Sequence, residues 1–224
     1  MALIDLSNRE VHCKIVYYGP GRCGKTTNLM YIYNAMNSAA RGKMLTIETK
    51  GDRTLFFDLL PLNLGKIKGF DIKIQLYTVP GQTIYHATRK LVLKGVDGIV
   101  FVADSLRVRR AKNIESLEDL KRNLKEYNLD IKSLPLVMQY NKRDLGKIGI
   151  PLLDTAELES DLNRELRVPS FCASATKGYG VFETLKAISK MTVRYVATKH
   201  LAGNQKSKKM GGPTRERRQR QRLS

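Results

Sequence analysis

The chain is short of acidic residues: 21 Asp and Glu stand against 40 Lys and Arg in 224 residues, a formal charge of +19. It is also poor in residues that crosslink or ligate metals. The three cysteines, Cys13, Cys23 and Cys172, form no C-x-x-C and no even set, and His12, His86 and His200 are scattered. These spacings exclude a zinc site and a disulfide framework, and a reducing, cytoplasmic compartment is expected. No apolar run approaches a membrane span, and Asp5, Arg9 and Glu10 interrupt anything resembling a signal-peptide core. Ala2 and the final Arg222-Leu223-Ser224 fit neither a myristoylation start nor a prenylation box. No internal repeat is present. The length suits one well-buried domain with an appendage and is short for two.

Much of the basic excess is local. From Lys199 to the end, nine Lys and Arg face Glu216 alone, a net +8 that leaves about +11 for the rest. The same stretch holds Gly211-Gly212-Pro213 and almost no large apolar residue after Leu201, too little to offset its ordering entropy. The expected division is a globular domain over 1–200 and a disordered basic tail over 201–224. Free solvation, docking on an anionic membrane and contact with nucleic-acid phosphates all fit that composition. No aromatic residue is there to stack on bases, so nucleic acid would be met through phosphates only.

One stretch organises the remainder: Gly19-Pro20-Gly21-Arg22-Cys23-Gly24-Lys25-Thr26, with Thr27 directly behind it. It satisfies every fixed position of G-x-x-x-x-G-K-S/T. Before it, Cys13 to Tyr18 reads as a buried strand; after it, Asn28 to Asn37 carries Leu29, Tyr33 and Met36 at helical spacing. Gly19, Gly21 and Gly24 permit backbone conformations closed to residues with a Cβ, so that N–H groups turn inward on an anion. The helix start adds unsatisfied amides and a positive dipole end. Lys25 is then placed for the β- and γ-phosphates and the Thr26 hydroxyl for Mg²⁺. Cys23 reads as a packing residue of this loop, with oxidation as the other option.

Further along, Phe70 to Tyr77 alternates apolar and polar residues, the mark of a strand with one wet face. Met44 to Ile47 and Leu55 to Phe57 are strand candidates before it, consistent with an antiparallel pair near the sheet edge. Ile99 to Ala103 and Leu136 to Met138 are continuous apolar runs, as parallel strands covered on both faces require. Helices are expected over Val108 to Tyr127, Thr155 to Asn163 and Val181 to His200. The fold class is therefore α/β, a doubly wound, mostly parallel sheet with one antiparallel edge strand.

Three landmarks sit where those strands end. In Pro80-Gly81-Gln82, the Gly81 N–H can approach a γ-phosphate and Gln82 can orient a water; taken alone, a strand-end turn explains it better. In Asn141-Lys142-Arg143-Asp144, the Asp144 carboxylate can accept from the ring N–H and the exocyclic amine of guanine, a pair adenine does not offer. At Ser174-Ala175 a backbone N–H can meet the guanine O6. Their order at the carboxyl ends of strands is the specific signal.

With these motifs the sequence resembles the Ras-like small GTPases, and among them the MglA family of bacterial cell-polarity and motility GTPases. The resemblance rests on residues 14–34 (KIVYYGPGRCGKTTNLMYIYN), 53–61 (RTLFFDLLP), 76–82 (LYTVPGQ), 93–105 (LKGVDGIVFVADS) and 181–185 (VFETL). It implies binding of GTP and GDP with Mg²⁺, slow hydrolysis, and loops that rearrange with the γ-phosphate. It further implies a Roadblock/LC7-type activating partner, polarity or motility effectors, and recruitment to a cell pole or the inner membrane face. By resemblance, Thr54 completes the Mg²⁺ sphere with Thr26, Arg53 serves as a built-in arginine finger, and Gln82 positions water. The chain departs from the wider Ras pattern at Thr78, where D-x-x-G opens with Asp; Asp58 is a candidate substitute. The other reading of the same residues is a nucleotide-binding scaffold that hydrolyses little, with the tail as its working part.

Overall fold

The computed structural model describes residues 3–48, 56–80 and 86–210. Eight described strands form one sheet: β1 (Leu3–Asp5), β2 (Glu10–Tyr18), β3 (Leu45–Glu48), β4 (Phe56–Ile67), β5 (Phe70–Thr78), β6 (Gly98–Asp104), β7 (Leu136–Asn141) and β8 (Ser170–Cys172). Their order across the sheet is β3-β4-β5-β2-β6-β7-β8, with β1 paired to the start of β2. The helices are α1 (Lys25–Ala35), α2 (His86–Leu93), α3 (Arg110–Lys125), α4 (Thr155–Leu158) and α5 (Val181–Met210).

The five strands from β5 to β8 run parallel, with β2 between β5 (Glu10↔Asp71 to Tyr17↔Thr78) and β6 (Ile15↔Gly98 to Tyr18↔Phe101). Every residue of β6 and β7 is buried, as their unbroken apolar runs require. The period of two sends neighbours to opposite faces. Tyr18, Phe101 and Met138 pack with Leu117, Leu120 and Leu124 of α3. Tyr17, Val100 and Val137 pack with Leu29 and Ile32 of α1 and with Leu185 and Ile188 of α5. Each such fully buried side chain contributes about 1.5–3 kcal/mol.

Three features differ from the sequence expectation. More than one strand is antiparallel: β3 to β4, β4 to β5 and β1 to β2 all pair that way. Strand β4 also continues through Pro61, which pairs with Gln75. The β3 ladder has ended by then, at Leu45↔Leu59, so the N–H that proline lacks faces a nearly free edge, while its carbonyl accepts Gly42 N–H at 2.8 Å. Helix α2 was not foreseen, because Arg89 occupies one of its buried positions and breaks the apolar stripe. Its guanidinium meets Asp119 of α3 at 3.2 Å, both side chains being less than a tenth exposed. Breaking such a buried pair costs about 3–5 kcal/mol. Finally, α5 continues through Met210 rather than ending at His200, and residues 211–224 of the expected tail lie outside those described.

Candidate nucleotide site

The phosphate loop joins the end of β2 to the first turn of α1. Gly19 (φ +144°) and Gly24 (φ +99°) are demanded by space as well as by dihedral angle. A Cβ on Gly19 would stand 2.2 Å from the Val102 carbonyl oxygen, and one on Gly24 the same distance from Asn141 Nδ2. Gly21 does not take such a conformation. The further left-handed position in the loop belongs to Arg22 (φ +63°), which corrects the expectation of three permissive glycines. A non-glycine residue held there costs about 1–2 kcal/mol, so its surroundings have to enforce it.

Lys25 is almost fully buried in this loop, and its ammonium donates to the carbonyls of Gly19 (2.8 Å) and Pro20 (2.7 Å). Burial lowers its pKa, opposed by the nearby Cys23 sulfur. Cys23 is itself fully buried, and burial raises its thiol pKa, so the packing reading holds over the reactive one. Backbone carbonyls thus hold the lysine inside the loop, while the two glycines let the loop pack against Val102 of β6 and Asn141 of β7. A polyphosphate fits that arrangement.

Beside the cradle lies a cleft of about 470 Å³ lined by Lys25, Thr26, Thr27, Thr46, Asp58 and Thr78, among others. Its lining includes the buried Asp58 on β4. Oδ2 accepts the hydroxyls of Thr26 and Thr78, both at 2.7 Å, and Oδ1 accepts that of Thr46 at 3.0 Å. Asp58 N–H in turn donates to Thr78 Oγ1 at 3.0 Å. A buried carboxylate held by neutral donors, next to an exposed threonine of the loop, is the oxygen chemistry that a hard cation such as Mg²⁺ prefers. No group of three His, Cys, Asp or Glu that could hold a metal occurs among the described residues.

The other strand ends converge here. Asn141 Nδ2 donates to Cys23 O (2.7 Å), and its Oδ1 accepts Ala175 N–H (2.8 Å), so one buried side chain ties the phosphate loop to β7 and the loop after β8. Ser174 N–H meets Tyr179 O at 2.9 Å. A single N–H of this pair is expected to meet guanine O6, and both already have partners, so that contact requires sharing or release. Lys142 (φ +70°) donates to Asp104 Oδ2 at 2.7 Å. Asp144 is half-buried, and no donor among the described residues meets its carboxylate. Arg53, Thr54, Gly81 and Gln82 lie outside the described residues.

Sequence reasoning passed over Asp104 and Arg109. The available signal was a carboxylate closing a wholly apolar strand, which demands partners: Asp104 is buried and receives Lys142, and Arg109 stands 3.8 Å from it.

Two comparisons bear on this geometry. The profile of the ADP-ribosylation factor family matches residues 1–192. The chain is 53% identical over 193 residues to the mutual gliding-motility protein MglA of Myxococcus xanthus (strain DK1622), covering 86% of this chain and 96% of that protein.

Proposed function

The chain belongs to the ADP-ribosylation factor family within the small Ras-like GTPases, and from that membership we propose how its own residues run the switch. It is a GTP/GDP-binding molecular switch that hydrolyses GTP. On our reading Gly19, Gly24 and Lys25 hold the β- and γ-phosphates, Asp144 reads guanine, and Asn141 and Lys142 brace the loops between them. Thr26 and Thr54 would ligate Mg²⁺, with Asp58 taking the part of the Asp absent at Thr78, and the ion would supply positive charge beside the phosphates. Arg53 and Gln82 act on the transition state, the first by charge and the second by orienting water. Residues 1–200 form the GTPase domain, and 201–224, whose first ten residues continue α5, are an appendage rich in Lys and Arg.

The observation that supports this most directly is Lys25 buried among loop carbonyls at the same carboxyl end of the parallel strands as Asp144, whose carboxylate meets no donor among the described residues. The relative named for gliding motility suggests that the switch governs motility or polarity. By the same analogy a Roadblock-domain partner activates hydrolysis, and recruitment is to a pole or membrane face. No described helix is long and apolar enough to cross a membrane. Single-turnover GTP hydrolysis, with and without a Roadblock-domain partner, tests the proposal. Acceleration by the partner is expected; an unchanged rate would remove the partner assignment and leave the switch itself standing.

A further inference from the structure

Arg22 carries the strained backbone unit of the phosphate loop, and something has to hold it. Its φ of +63° is a conformation that residues with a Cβ adopt reluctantly. The peptide joining Gly21 to Arg22 is rigid and planar, so the Gly21 carbonyl and the Arg22 N–H point in opposite directions. Fixing one end fixes the other.

The Gly21 carbonyl is fixed from outside the loop. Arg109, which immediately precedes α3, donates from Nη2 to Gly21 O at 2.7 Å, across 88 residues of sequence. The arginine is itself oriented. Its Nε lies 3.8 Å from Asp104 Oδ2, and that carboxylate is 1% exposed. Asp104 is held in turn by Lys142 Nζ at 2.7 Å and by Leu106 N–H at 3.1 Å, and its backbone is clamped by Asn113 at 2.9 Å on each side. A chain of contacts therefore runs Lys142, Asp104, Arg109, Gly21. It ties the guanine-reading loop after β7 to the phosphate loop after β2. Arg107, two residues away, faces elsewhere and pairs with Glu157 at the surface.

We infer that Arg109 is a positioning residue of the nucleotide site. By holding the Gly21 carbonyl outward it turns the Arg22 N–H into the phosphate cradle, and so sets how long GDP and GTP stay bound. Released from Arg109, the peptide is free to rotate, the cradle loses a donor, and the strained φ of Arg22 relaxes. Asp104 acts through Arg109, and Lys142 couples occupancy of the guanine side to this latch. The inference rests on the GTPase reading of the same loop.

The test is the dissociation rate of fluorescent mant-GDP, chased with excess GDP, for the full chain. Arg109→Met keeps the apolar stem and removes the donor; release should speed up about ten-fold or more, as for loss of one charge-assisted hydrogen bond. The ratio of variant to parent should persist when Mg²⁺ is chelated, because the effect lies in the loop and not in the metal site. Arg109→Lys, which keeps a cationic donor, should release at an intermediate rate. Arg107→Met should release like the parent. Release from Arg109→Met within two-fold of the parent rate would overturn the inference, as would equal acceleration by Arg107→Met, which would implicate nearby charge instead. If the methionine variant fails to fold, Arg109→Gln takes its place under the same criteria. A parent chain that bound no mant-GDP would strike the GTPase reading itself, a separate outcome.

Discussion

The Thr26 hydroxyl donates to Asp58 Oδ2 at 2.7 Å, joining the first turn of α1 to β4 across 32 residues of sequence. The Thr78 hydroxyl donates to the same oxygen at the same distance. Thr78, the residue that departs from the wider Ras pattern, is thus in direct contact with a carboxylate supplied by the neighbouring strand. Asp58→Asn keeps the shape but leaves one acceptor oxygen for three hydroxyl donors. The Mg²⁺ concentration needed to slow GDP release should rise about ten-fold or more, with about 1–3 kcal/mol lost from stability. Nucleotide release measured across a Mg²⁺ titration checks this; an unchanged midpoint would return Asp58 to a purely structural role.

Asp144 is the guanine reader on our assignment. Asp144→Asn replaces an acceptor by a donor and should weaken GTP by about 3–6 kcal/mol while leaving XTP far less affected. Competition among GTP, ATP and XTP against mant-GDP is the measurement. A parent protein that binds ATP as tightly as GTP would end the assignment.

Binding and turnover should separate cleanly between loops. Gln82→Leu and Arg53→Ala should leave GTP affinity within about two-fold, yet slow single-turnover hydrolysis by about a hundred-fold or more, since on our assignment both act only on the transition state. Lys25→Ala should weaken binding itself. Hydrolysis by Arg53→Ala at the parent rate, with the activating partner present, would make Arg53 an ordinary loop arginine.

Alkaline stability should report on the core beneath the site. Burial, with a smaller contribution from Asp97, pushes the Cys13 thiol from 9.0 up to about 12. The unfolded chain therefore releases this proton near pH 9 while the folded chain keeps it, so the unfolded state binds fewer protons as pH rises. Stability is full below about pH 9 and falls between 9 and 12, by at most about 1.4 kcal/mol per pH unit from this group. Urea unfolding of the parent and of Cys13→Ala at pH 8 and pH 10 should show a smaller loss for the variant. Equal losses would mean that the thiol is not the group responsible.

The basic appendage is best removed after Met210, where the described helix ends. That deletion takes away five arginines and Glu216. Nucleotide release and hydrolysis should stay near the parent values. Adhesion to anionic vesicles or to DNA should weaken, and the salt dependence on DNA should flatten by a logarithmic slope of at most about 4. Truncated protein that adheres as strongly as the full chain would locate the effective basic surface elsewhere on the molecule.

What the sequence determined by itself is whatever rests on local backbone geometry and simple periodicity. The loop from Gly19 to Thr26 is legible because few conformations allow consecutive N–H groups to face one anion, and those conformations demand glycines at fixed spacing. The runs Ile99 to Ala103 and Leu136 to Met138 within β6 and β7 are legible because a segment covered on both faces favours unbroken apolar residues. Tertiary structure decided everything that depends on partners distant in sequence. Asp58 is only a candidate substitute in the sequence, and gains its setting when β5 brings Thr78, and α1 brings Thr26, to its carboxylate. Arg89 looks like a helix breaker of the apolar pattern until Asp119 makes its burial tolerable. Gly21 and Arg22 exchange their expected parts because Arg109, far along the chain, holds the peptide between them. A buried charge or a strained peptide is allowed only by what surrounds it, and no local pattern records those surroundings.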